Sequence, residues 1–188
     1  MLRITGGIAK GKSLKVPRCA NIRPTSARLR QSLFNILQVE GKNFLDVFAG
    51  AGAVGIEALS RGASKVTFIE NHPLALKALH ENLKLTGLAA RAEVIGQDAL
   101  RAGRRLAEQG FRFDVIYLDP PYEKGLAEKA LAIFADLLVP GGWLVLETRV
   151  RESPPGISTA VLVDERRYGD SALRFYKKAV AEERWEKG

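Results

Sequence analysis

Cysteine is almost absent from this chain. Cys19 is the only one among 188 residues, so an internal disulfide and a cysteine metal cluster are both excluded. Histidine is nearly as scarce. His72 and His80 are the only two; neither has partners at ligand spacing, and both read as turn or helix-surface residues. No metal site is expected. No charge-free stretch approaches the roughly 20 residues that span a bilayer. Met1-Leu2-Arg3-Ile4-Thr5-Gly6-Gly7 lacks an apolar run of signal-peptide length. A cytoplasmic protein without membrane contact is the expectation.

Acidic residues are missing from residues 1–39; the first is Glu40. The same segment holds Arg3, Lys10, Lys12, Lys15, Arg18, Arg23, Arg28 and Arg30. The remainder carries 21 basic and 21 acidic residues, so this one segment accounts for the whole net charge of +8. An all-basic segment on a neutral body suits a polyanionic partner, against the alternative of a solvated arm that aids solubility. Apolar residues make up 46% of the chain and charged residues 27%. That is a globular composition, and the length suffices to bury a core without staples.

The pattern divides into a basic extension, residues 1–40, and a domain, residues 41–188. The extension reads as a β-hairpin around Gly6-Gly7 and Gly11, then a helix opened by Pro24 with Thr25 or Ser26 as N-cap. Leu29, Leu33, Ile36 and Leu37 give that helix one apolar face, with Arg28 and Arg30 off the stripe. From residue 43, apolar runs of about five residues alternate with helical segments. Strands are expected over 43–48, 65–70, 93–96, 113–118 and 143–147. Helices are expected over 53–60, 73–86, 99–108 and 126–138. Residues 161–167 and 173–178 have no helix between them and read as an antiparallel hairpin. Five β/α units closed by a β-hairpin imply a mostly parallel sheet covered on both faces.

The first strand runs into Asp46-Val47-Phe48-Ala49-Gly50-Ala51-Gly52-Ala53-Val54-Gly55. Gly50, Gly52 and Gly55 fit the G-x-G-x-x-G spacing of a dinucleotide loop, with Glu70 twenty residues on. Asp46 argues for a different ligand. A carboxylate is a poor neighbour for a pyrophosphate and a good one for an ammonium or sulfonium group. S-adenosylmethionine carries both and has no phosphate. Glu70 suits two ribose hydroxyls, and Asp98 an adenine amino group. The bland alternatives are a helix N-cap for Asp98, a turn cap for Glu70 and a loop amide for Asp46. Phe48, Asn71 and Ala99 flank these positions and complete the expected cofactor set.

The fourth strand ends in Asp119-Pro120-Pro121-Tyr122. Two prolines fix the backbone and remove two donors, leaving a rigid turn. An acidic side chain and a proline carbonyl are acceptors for the two hydrogens of an exocyclic amine. Tyr122 offers a flat face on which a base can stack. Methyl transfer asks chiefly that an amine nitrogen be aligned with a methyl carbon.

The motifs at residues 46–52 and 119–122 resemble those of class I amino-group methyltransferases. Gly6-Gly7 with Lys10-Gly11-Lys12, Arg23-Pro24-Thr25, Leu33-Phe34-Asn35-Ile36-Leu37, Tyr168-Gly169 and Arg174-Phe175-Tyr176 narrow the resemblance to the bacterial RsmD family. It spans nearly the whole chain. The resemblance implies a Rossmann-like α/β fold whose seven-stranded sheet has an antiparallel last strand. It also implies S-adenosylmethionine as methyl donor and the N2 amine of one guanine in small-subunit (16S) ribosomal RNA as acceptor, within an assembling particle. By position, Asp46, Gly50, Gly52, Glu70 and Asp98 are expected to hold the cofactor, and Asp119, Pro120, Pro121 and Tyr122 the guanine. Lys10, Lys12, Arg23, Thr25, Arg28, Arg30 and Lys124 are the expected RNA contacts. Ala27 and Gln31 stand where the family usually has acids. A monomer is expected. Three other readings fit part of the pattern: an adenine-N6 methyltransferase with the same turn, a nicotinamide dehydrogenase, and a non-catalytic RNA-binding assembly factor.

Overall fold

The computed structural model describes residues 2–17, 25–121, 123 and 125–178. A short antiparallel hairpin, β1 (Leu2–Arg3) and β2 (Ser13–Leu14), precedes α1 (Ala27–Ile36). Ser26 caps α1, its hydroxyl accepting from the Leu29 amide at 3.2 Å. Then come β3 (Asn43–Val47), α2 (Ala53–Ser60), β4 (Lys65–Ile69), α3 (Pro73–Thr86), β5 (Ala92–Ile95), α4 (Ala99–Glu108), β6 (Phe113–Leu118) and α5 (Leu126–Ala135). The chain closes with β7 (Leu138–Arg149), β8 (Ala160–Tyr168) and β9 (Ser171–Lys178). Helix limits follow local chemistry. α3 opens on Pro73, whose fixed φ suits a first turn, and ends at Gly87 in the left-handed region at φ +75°.

The seven strands lie in the order β5-β4-β3-β6-β7-β9-β8. β9 alone runs against its neighbours. The hairpin inserts its second strand beside β7 and leaves β8 at the edge. Phe44, Phe68, Val115, Val145 and Phe175 project to one face, under α1, α2 and α3. Leu45, Ile69, Ile116 and Leu144 project to the other, under α4 and α5. This alternation is the two-residue period of strands covered on both sides. Two readings change. The fifth strand carries no helix: a segment containing Pro154, Pro155 and Gly156 leads straight to β8. The helix expected over 126–138 stops at Ala135, because Leu138 is already paired with Phe113 in the sheet.

The basic extension is bonded to the body. The Ile8 amide donates to the Ser60 carbonyl at 2.8 Å and the Ala9 amide to the Ser60 hydroxyl at 2.9 Å. That hydroxyl donates to the Gly6 carbonyl at 2.6 Å. Gly7 has φ +76°, and a Cβ there would lie 1.9 Å from the Ser60 carbonyl oxygen, so glycine is required. Ile4, Ala9 and Leu14 join the same core as α1 and the sheet. The hairpin turn is thereby seated at the C-terminal end of α2.

Candidate active site

Consecutive strands β3, β4 and β5 step one way along the sheet, while β6 returns to the other side of β3. Loops after β3 and β6 therefore diverge, opening the crevice where ligands of such sheets collect. A cavity of about 640 Å³ lies there. Asp46, Glu70, Asp119, Glu123 and Glu147 contribute its acid groups, and Leu2, Val16, Thr25, Ser26 and Leu29 of the extension form one wall.

Asp46 is 2% exposed, and its Oδ2 accepts from the Gly55 amide at 2.8 Å. A Cβ on Gly55 would lie 2.3 Å from the Phe68 ring and 2.9 Å from Asp46 Oδ2. That position must be glycine for α2 to approach the carboxylate so closely. Burial pushes the Asp46 carboxyl up to about 7; the Gly55 amide opposes the rise and the Glu70 charge adds to it. The native acid thus keeps a proton through a range where the unfolded one, at 3.8, has lost it. Its contribution to stability is present at low pH and is lost as pH rises through about 7. A cation in the cavity would reverse this preference.

Glu70 fastens the loops around Asp46. Its Oε2 accepts from the Gly50 amide at 2.7 Å, and its Oε1 from the Asn71 and His72 amides at 2.8 Å each. Each carboxylate oxygen has more than one acceptor site, so these bonds orient Glu70 and leave capacity for a ligand. Phe48, at φ +62°, is the one non-glycine residue with positive φ among those described, and it lines the cavity. Such strain is tolerated where surrounding structure fixes a loop for a ligand. Gly52 acts differently. It opens α2 at φ +81° and does not line the cavity.

Asp119 follows β6, its amide donating to the Val47 carbonyl at 3.4 Å. Burial raises its carboxyl well above the carboxylate range, and the charges of Glu147 and Asp46 raise it further. Pro120 and Pro121 line the cavity beside it. Tyr122 and Lys124 lie outside the described residues, as do Arg23 and Cys19.

Several expected site residues are placed elsewhere. Asp98 is the N-cap of α4, its Oδ1 accepting from the Arg101 amide at 2.9 Å, and neither it nor Ala99 lines the cavity. Here the capping role is the one observed. Arg30, expected to hold phosphate, is fully buried and ion-paired to Glu57 at 3.0 Å, so it is corrected to a core residue. Thr25 belongs to the cavity wall, where its hydroxyl bonds Tyr117. Lys12 is exposed, with Nζ donating to the Leu85 and Thr86 carbonyls at 3.3 and 3.0 Å at the end of α3. Lys10 and Arg28 are exposed. Tyr117 and Glu147 line the cavity and were not expected there. The available signal was Glu147 itself, a lone acid ending the apolar run Leu144–Leu146, as Asp46 ends its own strand.

A family model described as "Conserved hypothetical protein 95" matches residues 2–177. The match takes in the hairpin, α1 and nearly all of the sheet. The ribosomal RNA small subunit methyltransferase D of Escherichia coli K12 is 35% identical over 186 residues, covering 94% of this chain and 90% of that protein. The chain belongs to the RsmD family. A solved structure of a hypothetical protein from Thermus thermophilus is 36% identical, covers 96% of this chain and 100% of its own, and superposes with a TM-score of 0.81. An RNA methyltransferase from Salinibacter ruber, solved with S-adenosyl-L-homocysteine, shares the fold at 20% identity and a TM-score of 0.67, covering 87% and 97%. Membership in the RsmD family accounts for the hairpin and α1 as well as the sheet, because the match spans both parts of the chain.

Proposed function

We propose that this RsmD family member transfers a methyl group from S-adenosylmethionine to the N2 amine of a guanine in small-subunit (16S) ribosomal RNA. The observation that carries this reading is the placing of Asp46 on β3 and Asp119 just past the adjacent β6, in one cavity walled by the basic extension. Residues 1–40 serve as the RNA-facing part and residues 41–188 as the transfer domain. Asp46 and Glu70 fit the donor, since a buried acid poised near neutrality suits an ammonium or sulfonium partner and Glu70 suits ribose hydroxyls. When bound, the donor supplies an electrophilic methyl group on sulfur.

The remaining work falls to the chain itself. Asp119 and the following proline turn accept the hydrogens of the amine and direct its lone pair. As the carbon–nitrogen bond forms and the carbon–sulfur bond breaks, the amine loses one proton, which Asp119 takes up or passes to solvent. The target base must leave its stack to reach this cavity. Lys10 and Arg28, exposed on the extension, hold flanking phosphates. The RNA-bound acceptor is an assembling small subunit, met by a monomeric enzyme in the cytoplasm.

The test is transfer from labelled S-adenosylmethionine to unmodified small-subunit particles, naked rRNA and DNA, with digestion to nucleosides and mass identification. N2-methylguanosine is expected. N6-methyladenine would keep the cavity and turn but overturn the acceptor. No transfer with cofactor binding intact would favour an assembly factor.

Two further results are expected here. Affinity for S-adenosylmethionine should weaken by roughly tenfold per pH unit below about 7, because binding must displace the Asp46 proton. In Asp46→Asn the affinity is low and flat between pH 6 and 8 by calorimetry. Arg28→Ala should lower RNA affinity and reduce the slope of log K against log salt by about one. A filter-binding salt series reads both effects, and an unchanged slope removes Arg28 from the interface.

A further inference from the structure

Tyr117 and Glu147 lie beside the Asp119 turn but play no part in the transfer described above. Tyr117 is paired with Asp46 across β3–β6 and with Val145 across β6–β7. Glu147 stands two residues beyond Val145 and so projects to the same face. The Tyr117 hydroxyl donates to Glu147 Oε2 at 2.5 Å, and the Thr25 hydroxyl bonds the same phenol. Glu147 is 7% exposed, lines the cavity, and acts electrostatically on Asp119. One cavity therefore holds two carboxylates at the ends of neighbouring strands, the second of them oriented by a buried phenol.

We propose that Glu147 reads the base: it accepts a hydrogen bond from the ring N–H beside the reactive amine, and so admits guanine and rejects adenine and cytosine. This rests on the functional reading above and names the residue that sets its specificity. An amine alone cannot identify guanine, because adenine and cytosine carry one too. What differs is the neighbouring ring position. Guanine presents N1–H, a donor; adenine N1 and cytosine N3 present lone pairs. An ionised carboxylate is an acceptor only. When Glu147 is ionised, guanine gives it a charge-assisted bond, whereas the other two set a lone pair against an acceptor. Sites built on such a bond reject the analogue lacking it by factors of about 10⁴. Burial raises the Tyr117 phenol well above its usual range, so it stays a neutral donor and keeps the carboxylate oriented.

The assignment is tested with 2-aminopurine, which keeps the amine of guanine but has a lone pair at N1. Mass mapping first locates the methylated guanosine in particles treated with the wild-type enzyme. Particles carrying guanosine or 2-aminopurine there are then compared as acceptors. The wild type should prefer guanosine by about 100-fold or more in kcat/KM. In Glu147→Gln, Tyr117 retains the amide oxygen and the amide NH2 meets the base. Its preference should shrink to within about tenfold, with guanosine transfer lowered and S-adenosylhomocysteine affinity unchanged. Equal wild-type rates on the two bases overturn the assignment without recourse to any variant. An unchanged preference in a folded Glu147→Gln overturns it as well. If the wild type methylates guanosine in no particle, the functional reading itself falls and the assignment with it; an active wild type with no preference removes the assignment alone.

Discussion

Replacing Arg30 with alanine is expected to lower the free energy of unfolding by about 3–5 kcal/mol. Arg30 and Glu57 side chains are both fully buried, with Nε donating to Oε2 at 3.0 Å. The remaining guanidinium nitrogens donate to the Thr25 carbonyl and, at 2.6 Å, to the Arg3 carbonyl. Glu57 Oε1 accepts from Arg61 Nη2 at 2.9 Å and from the Thr5 hydroxyl. One buried cation thus joins β1, the start of α1 and the middle of α2. Truncating it takes one of two cations from a buried carboxylate and leaves two carbonyls without this donor, which costs far more than the pair gains over an apolar substitute. The loss is a large share of the roughly 5–15 kcal/mol that holds such a domain together. Urea unfolding followed by circular dichroism gives the value; a loss under about 1 kcal/mol would contradict the buried-pair account. Arg28→Ala, two residues away but exposed, should change stability by less than about 0.5 kcal/mol. The double variant Arg30→Met with Glu57→Leu should recover only part of the loss, since it removes the buried acid but takes from Arg61 and from the Thr25 and Arg3 carbonyls the partners they have here.

Arg30 also marks where the sequence is legible and where it is not. The strands and helices of the domain follow from apolar runs and caps that act over a few residues, which is why α2, α3, α4 and β6 have the limits expected. Long-range pairing follows different rules. Arg30 lies off the Leu29–Leu33 stripe and reads as solvated until its partner, in another helix, is known. Glu57 held the clue: it is the one charge in a helix buried on every side. Arg61, four residues on, serves one oxygen of that acid, and the other takes its cation from α1.

The site divides along the same line. That Asp46, Glu70 and Asp119 meet in one cavity was legible because each lies at the C-terminal end of a parallel strand, and such strands bring those ends together. Asp98 ends a strand too, on the outer strand β5, and its Oδ1 caps α4. Sequence position gives the edge of the sheet where an acid emerges. It does not give the distance from the crevice, which depends on strand order. That order also explains Glu147. β7 follows β6 both in chain and in space, so its acid reaches the cavity that β5, two strands from β3, does not.

Asp119→Ala is expected to lower kcat by about 10³-fold or more while leaving S-adenosylhomocysteine affinity within about twofold. The asymmetry follows from placement. Asp46 and Glu70, the residues proposed for the donor, are tied to the loop after β3 and the start of α2, whereas Asp119 stands on the turn after β6, and its loss breaks none of the Glu70 or Asp46 bonds. Asp119→Asn separates its two roles. The amide oxygen still accepts an amine hydrogen, but it cannot take up the proton, so an intermediate loss of about 10- to 100-fold is expected. The pH profile gives the sharper evidence. Burial and the charges of Glu147 and Asp46 raise the Asp119 carboxyl, and only its ionised form can take up the amine's proton. Wild-type kcat should therefore rise with pH as that acid ionises and then level off. A cationic donor beside Asp46 lowers the same acid, so the rise should fall at lower pH in kcat, measured on the loaded enzyme, than in kcat/KM for RNA measured at low donor concentration. Asp119→Asn should lose this limb from kcat while keeping the dependence of donor affinity on pH that belongs to Asp46. A variant that keeps the kcat limb would assign the titrating group to Glu147, and with it the uptake of the proton.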